Sequence, residues 1–262
     1  MEQPTAPPEA ALSFDVIRAD AQDLVVTMRG ADVGRFLNDG SIDVEAGVPN
    51  PVDAFVRAAR LGMFARPDGN LDRSTASVAS RQVLPDRSFE NDSITVSHVA
   101  DGAFRVLANM LLSRDLEEVA IRSQFPDTKV VTAERLFLTS LQYPAHVPPP
   151  FLVDYEMPDR TARDRVVQLL FDREPSDECL EAAYSGFDAW TLLLMLGGYP
   201  RDDQRPSQSG AIPDKAFLVE PDTIEQAFPD VFLCDEDCFA SLVNWVTHVH
   251  RSGCPVSKLT IR

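Results

Sequence analysis

The chain has 262 residues, room for one large or two small domains, and 44% of them are hydrophobic, enough for real cores. Acidic residues number 41 against 24 basic, a net charge of −17; such a surface repels nucleic-acid phosphates and anionic membranes and suits a basic partner. No stretch is apolar enough to span a bilayer, the N-terminus lacks the basic start of a secretory signal, and four cysteines in so long a chain do not make a disulfide framework, so the expected compartment is the cytoplasm.

Taken in order, residues 1–12 are rich in Pro and Ala and read as a disordered tail. Phe14–Ile17 and Leu24–Thr27 read as two strands with a turn between them. Asp32 can cap a short helix through Phe36-Leu37, and Pro49-Asn50-Pro51 breaks the chain. A helix over Val52–Leu61 then ends at Gly62, a position suited to a left-handed cap. Residues 67–80 read as a polar loop, Gln82–Leu84 as a short edge strand and Ile94–Val96 as another strand. After Asp101, Phe104, Leu107, Met110 and Leu111 fall on one helical face. Val119–Ile121 reads as a buried strand. Between the halves, Val130-Val131 is strand-like, Ala133–Leu141 suits a connecting helix, and His146-Val147-Pro148-Pro149-Pro150 is a stiff spacer.

Phe151–Tyr155 reads as a strand, and Asp159 as the cap of a helix that turns Val166, Val167, Leu170 and Phe171 inward. Past Glu174–Asp177, a helical stretch runs into a nearly all-apolar helix over Asp188–Leu196, which must be buried. Residues 201–214 form a polar loop and Ala216–Val219 a strand. Asp235–Asp237 opens the last long helix, Gly253 stops it, and Val256–Ile261 closes the chain as a strand.

The sequence repeats itself. Asp53-Ala54-Phe55 and Asp188-Ala189-Trp190 open two helices that end in Leu61-Gly62-Met63-Phe64 and Leu196-Gly197-Gly198-Tyr199, all at one offset of 135. The same offset pairs Phe104 with Phe239, Leu107 with Leu242 and Asn109 with Asn244. Two copies of one unit are expected: residues 13–123 as a degenerate first domain, 124–150 as a linker and 151–262 as the second domain.

In the second copy, three passages resemble the barstar family of intracellular ribonuclease inhibitors. They are Tyr184-Ser185-Gly186-Phe187-Asp188-Ala189-Trp190, Phe217–Glu220 with Ile224-Glu225-Gln226, and Val246–Gly253 with Val256–Ile261. The resemblance implies an α/β fold of two tandem barstar-like domains, each a small, mainly parallel three-stranded sheet packed with helices. It also implies a non-enzymatic immunity protein that plugs the active site of a basic toxin, a nuclease, with Tyr184, Asp188 and Trp190 in copy two and Asp53 in copy one as partner-binding residues. The family's later acids fall here at Leu192 and near His248, and so are missing.

No catalytic residue, metal ligand or cofactor is assigned. Cys234 and Cys238 are four apart, but His248 and His250, two apart on a helix, cannot face one ion. No phosphate-binding glycine loop and no nucleophile elbow is present. Basic residues do not cluster with aromatics, so neither nucleic acid nor membrane is an expected partner. The competing readings are an enzyme with a site at the domain interface near His98 or His248, and a regulatory module whose carboxylates mimic nucleic acid.

Overall fold

The computed structural model describes residues 11–15, 21–37, 48–66, 74–114, 116–123, 130–131, 142–145, 147–155, 164–200, 215–229 and 237–262. In the first half these form β1 (Ala11–Asp15), β2 (Ala21–Arg29), β3 (Phe36–Leu37), β4 (Val48–Pro49), α1 (Pro51–Arg60), β5 (Thr75–Val83), β6 (Phe89–Ser97), α2 (Gly102–Leu112), β7 (Glu118–Ser123) and β8 (Val130–Val131). The second half gives β9 (Leu152–Tyr155), β10 (Asp164–Phe171), α3 (Asp177–Met195), β11 (Phe217–Glu220), β12 (Thr223–Pro229), α4 (Cys238–Arg251) and β13 (Val256–Ile261).

The chain is mixed α/β, but the expected mainly parallel three-stranded sheets are not found. One sheet has six strands in the order β5-β6-β2-β7-β1-β8, the other five in the order β11-β12-β10-β13-β9. Within them only β1–β7 and β9–β13 are parallel; every other neighbouring pair is antiparallel. The reason lies in the crossovers. Helix α1 carries the chain from β2 to β5, skipping the place that β6 fills, and α2 carries it from β6 to β7, skipping β2. These are two interlocked split βαβ units, which make an antiparallel sheet out of strand–helix–strand alternation. The order β5-β6-β2-β7-β1 and the sense of each pair recur strand for strand in β11-β12-β10-β13-β9.

Several local expectations are corrected. Residues 164–171 are the central strand β10, not the end of a helix: Val167, Leu169 and Phe171 are buried while their neighbours are half-buried, a period of two. Both of its edges are paired, which explains the run of β-branched and long apolar residues. Thr75–Val83 is a nine-residue edge strand rather than loop. Ala31–Arg35 is a 3-10 turn entered at Gly30, and Phe36–Leu37 pairs with Val48–Pro49. The expected tail yields Ala11 and Leu12 to β1; its other residues lie outside the described ones, as do the helix over Ala133–Leu141, the cap Asp159 and the loop 201–214.

Each sheet turns one face to the helices. Leu24, Val26 and Met28 on β2, Ile94 and Val96 on β6, and Val167 and Leu169 on β10 are buried there. Helices of both halves meet between the two sheets, and the buried apolar side chains join into one core. That is why α2 is buried from Gly102 to Leu111 on every side.

The seam is reciprocal. Asn109 on α2 donates from Nδ2 to the Gly198 carbonyl (3.1 Å), just past the end of α3. Asn244 on α4 donates from Nδ2 to the Met63 carbonyl (3.3 Å), just past the end of α1. Donors and acceptors are the residues matched by the sequence offset, and the glycines that end the two helices, Gly62 and Gly197, share φ values of 76° and 74°. Only a residue without a Cβ adopts this conformation at no cost.

Two of the four cysteines are joined, contrary to the expectation. Cys179 in the first turn of α3 is bonded to Cys254 between α4 and β13, with Cα atoms 5.5 Å apart. Cysteine content therefore gives no support to a cytoplasmic location. Cys238 is buried and outside this bond. No helix among the described residues is long and apolar enough to cross a membrane.

Candidate functional site

By the same offset, α1 (51–60) corresponds to 186–195, the second part of α3. Residues 177–185 are thus an N-terminal extension of about two and a half turns with no counterpart in α1. In the first half, Asn50 starts the helix abruptly: its Oδ1 accepts from the Val52 N–H (2.8 Å) and Pro51 occupies the first turn. In the second half, Ser176 caps the helix earlier and Asp177 and Glu178 complement its dipole.

The two parts of α3 differ in burial. From Gly186 to Met195 every residue but Asp188 is buried; from Asp177 to Ser185 only Cys179 and Ala183 are. Asp177, Glu181, Tyr184 and Asp188 are spaced four, three and four residues apart, so they form one stripe along the helix. A groove of about 440 Å³ runs beside this stripe, lined also by Leu180, Ser185 and Arg57 of α1. Arg57 closes its inner end, donating from Nη2 to the Ser185 carbonyl (3.1 Å) and hydroxyl (3.2 Å). Burial pushes the Asp188 carboxyl up, and the positive charges of Arg57 and Lys215 pull against that shift.

Around this groove stand three carboxylates and a phenol, with the positive charges of Arg57 and Lys215 acting on Asp188. The carboxylates can receive a guanidinium or ammonium with charge-assisted hydrogen bonds, and the Tyr184 ring offers it a face.

The structure brings Tyr184 and Asp188 together, and separates the other two sequence candidates from them. Trp190 is fully buried, with its Nε1 donating to the Cys238 carbonyl (2.9 Å); it is a core residue because the helix beyond Gly186 has layers on both sides. Asp53 is taken by Arg81, whose Nη1 and Nη2 donate to its two oxygens at 2.9 and 2.8 Å. Sequence reasoning missed Asp177 and Glu181, although their spacing to Tyr184 and Asp188 was visible, and Arg57, whose place depends on how α1 meets α3.

A second charged cluster lies under the start of α1. Arg81 also donates to both oxygens of Asp92 (2.8 and 2.9 Å) and stands 3.1 Å from Glu90 Oε1, which accepts from Asn50 Nδ2 (2.6 Å). Burial pushes Glu90 up to about 7, with the Asp92 charge adding to the effect. The hydrogen bonds of Arg81 are spent within this cluster, which braces α1 on the sheet. Among the described residues, no group of three or more His, Cys, Asp or Glu side chains is arranged to hold a metal ion. Of the two histidines weighed for an interface site, His98 bonds through Nδ1 to the Ser97 hydroxyl (2.7 Å), and His248 packs against Gly62 at the seam.

No family model matches the chain, and no curated protein matches it. Among solved structures, a formylmethanofuran:tetrahydromethanopterin formyltransferase from Methanosarcina barkeri is similar at a TM-score of 0.21 and 10% identity, over 96% of this chain and 92% of that one. A likeness that loose carries no argument about fold or function.

Proposed function

We propose that the chain is a binding protein that inhibits a basic enzyme, a toxin nuclease, by engaging it with the groove on the extended start of α3. One observation carries this reading: the repeated plan gains, in one half only, an extension whose outer face is a stripe of three carboxylates and a tyrosine. Anchors of this kind concentrate binding energy, and the net charge of −17 steers a basic partner toward them. In this reading the two halves are copies of one unit. The first, whose matching acid Asp53 is already paired, serves as the platform on which α3 is held.

The test is affinity capture from the source cells with the native chain and with an Asp177→Asn, Glu181→Gln, Asp188→Asn variant, followed by a nuclease assay on what is recovered. A basic nuclease held and silenced by the native chain, and held at least about tenfold more weakly by the variant, is the expected result. Equal retention by both would remove the groove from the binding surface.

A further inference from the structure

We propose that the Cys179–Cys254 disulfide is a redox-controlled fastener of this groove, so that its reduction releases the outer wall and weakens binding there. The inference rests on the groove being the binding surface, and it deepens that reading by giving the site a control.

Residues 177–185 are held in place at few points. Asp177, Glu178 and Glu181 are exposed, and Leu180 and Tyr184 are half-buried. At the inner end, Ala183 is buried and Arg57 grips Ser185. In the first turn the one buried side chain is Cys179, and its bond ties that turn to the connection between α4 and β13. Few buried contacts and a solvated outer face mark a segment that can open locally. From Gly186 onward every residue of the helix but Asp188 is buried, so packing holds that part without the bond. Breaking the bond therefore frees the part of α3 that carries Asp177 and Glu181, while Asp188 stays on the packed part.

Both ends of the bond are buried, and Cys179 lines an opening to solvent. A pocket of about 350 Å³ opens beside Cys179, between Arg173, Glu174 and Ser176 on one side and Gly253 and Pro255 on the other. The reductant is a dithiol, free or in a thiol–disulfide oxidoreductase. One of its thiolates attacks a sulfur of the bond and its second thiolate resolves the mixed disulfide. Two electrons and two protons end on Cys179 and Cys254 as thiols, and the reductant closes its own disulfide.

The experiment uses the full chain. Peptide mapping without reductant must recover the Cys179–Cys254 cross-link; two free thiols at these positions in air-oxidised protein would overturn the proposal. Hydrogen exchange is then compared before and after dithiothreitol, and in Cys254→Ser. Exchange over 176–185 should rise about tenfold or more on reduction, with 186–195 unchanged. No change over 176–185, or loss of protection across the whole second half, would each overturn the local fastener. Because reduction of the native protein makes the same comparison, the result stands even where Cys254→Ser fails to fold. A fluorescent hexa-arginine peptide is titrated in parallel. Binding several-fold weaker in the reduced form supports the control; equal binding to both forms overturns it. A peptide that binds neither form, with the local exchange change present, sinks the groove reading and leaves the fastener standing.

Discussion

Glu90 alternates with Asp92, Ile94 and Val96 on the face of β6 that looks toward α1, so a carboxyl stands where the strand pattern asks for an apolar side chain. Asn50 and Arg81 make its burial tolerable, and Asp92 and Asp53 share the same arginine. Burial lets the folded state hold a proton on Glu90 up to about pH 7, while the unfolded chain lets it go near the ordinary 4.5. A raised folded value means that the stability is fully present below the unfolded value and is lost as pH rises through the folded one. Urea unfolding should therefore show stability falling between about pH 4.5 and 7, by on the order of 2 kcal/mol for this group. Glu90→Gln, which keeps the bond from Asn50, should flatten that part of the profile; an unchanged slope would show that Glu90 does not titrate there. The same scale shows what a sequence can and cannot say about a site. Asp53 and Asp188 hold equal places in the repeat, one in the first turn of its helix and the other well inside a longer one. Their fates differ because β5 sets Arg81 beside one, and the other looks into a groove closed by an arginine from across the seam.

At the scale of elements, α3 joins two segments of different physics, an exposed acidic start and a packed end. They meet at Gly186. A Cβ there would lie 1.9 to 2.2 Å from atoms of the Trp245 ring on α4, so the close approach of the two helices depends on glycine. Gly186→Ala should destabilise the chain by about 3 kcal/mol, at the upper end for overpacking a core. A loss under about 0.5 kcal/mol, the size of an ordinary surface substitution, would mean that α3 and α4 slide apart easily. The disulfide acts on the other segment; closing a loop of 75 residues in the unfolded chain contributes about 4 kcal/mol by chain entropy. Helices with strong end signals were legible in the sequence: Gly62 and Gly197 end α1 and α3 as their positions suggest. The strands were less so. In β10, valine and leucine pairs satisfy a helical and an alternating pattern over so short a run, and pairing with β12 and β13 decides between them. The hairpins β5–β6 and β11–β12 fixed the antiparallel sense of the sheets, and neither carries a two-residue Asn-Gly or Asp-Gly turn to announce it.

Across the whole molecule, the offset of 135 is realised as geometry. Asn109 reaches the end of α3 and Asn244 the end of α1, and both are tied to the connecting segment, through the Tyr143 hydroxyl for Asn109 and through Ala145 and Val147 for Asn244. The two halves share one core. The net charge of −17 cannot by itself pick a surface; in the proposed reading the extension of α3 does. Other surfaces compete for the role. Phe217, Leu218 and Val219 are exposed on the edge strand β11, and a partner could pair with that edge instead. The decisive measurement is a hydrogen-exchange footprint of the chain bound to the basic protein it captures. The expected result is protection gained over 177–188, with no gain over β11. Protection gained along 217–220, or on the first half with 177–188 unchanged, would contradict it.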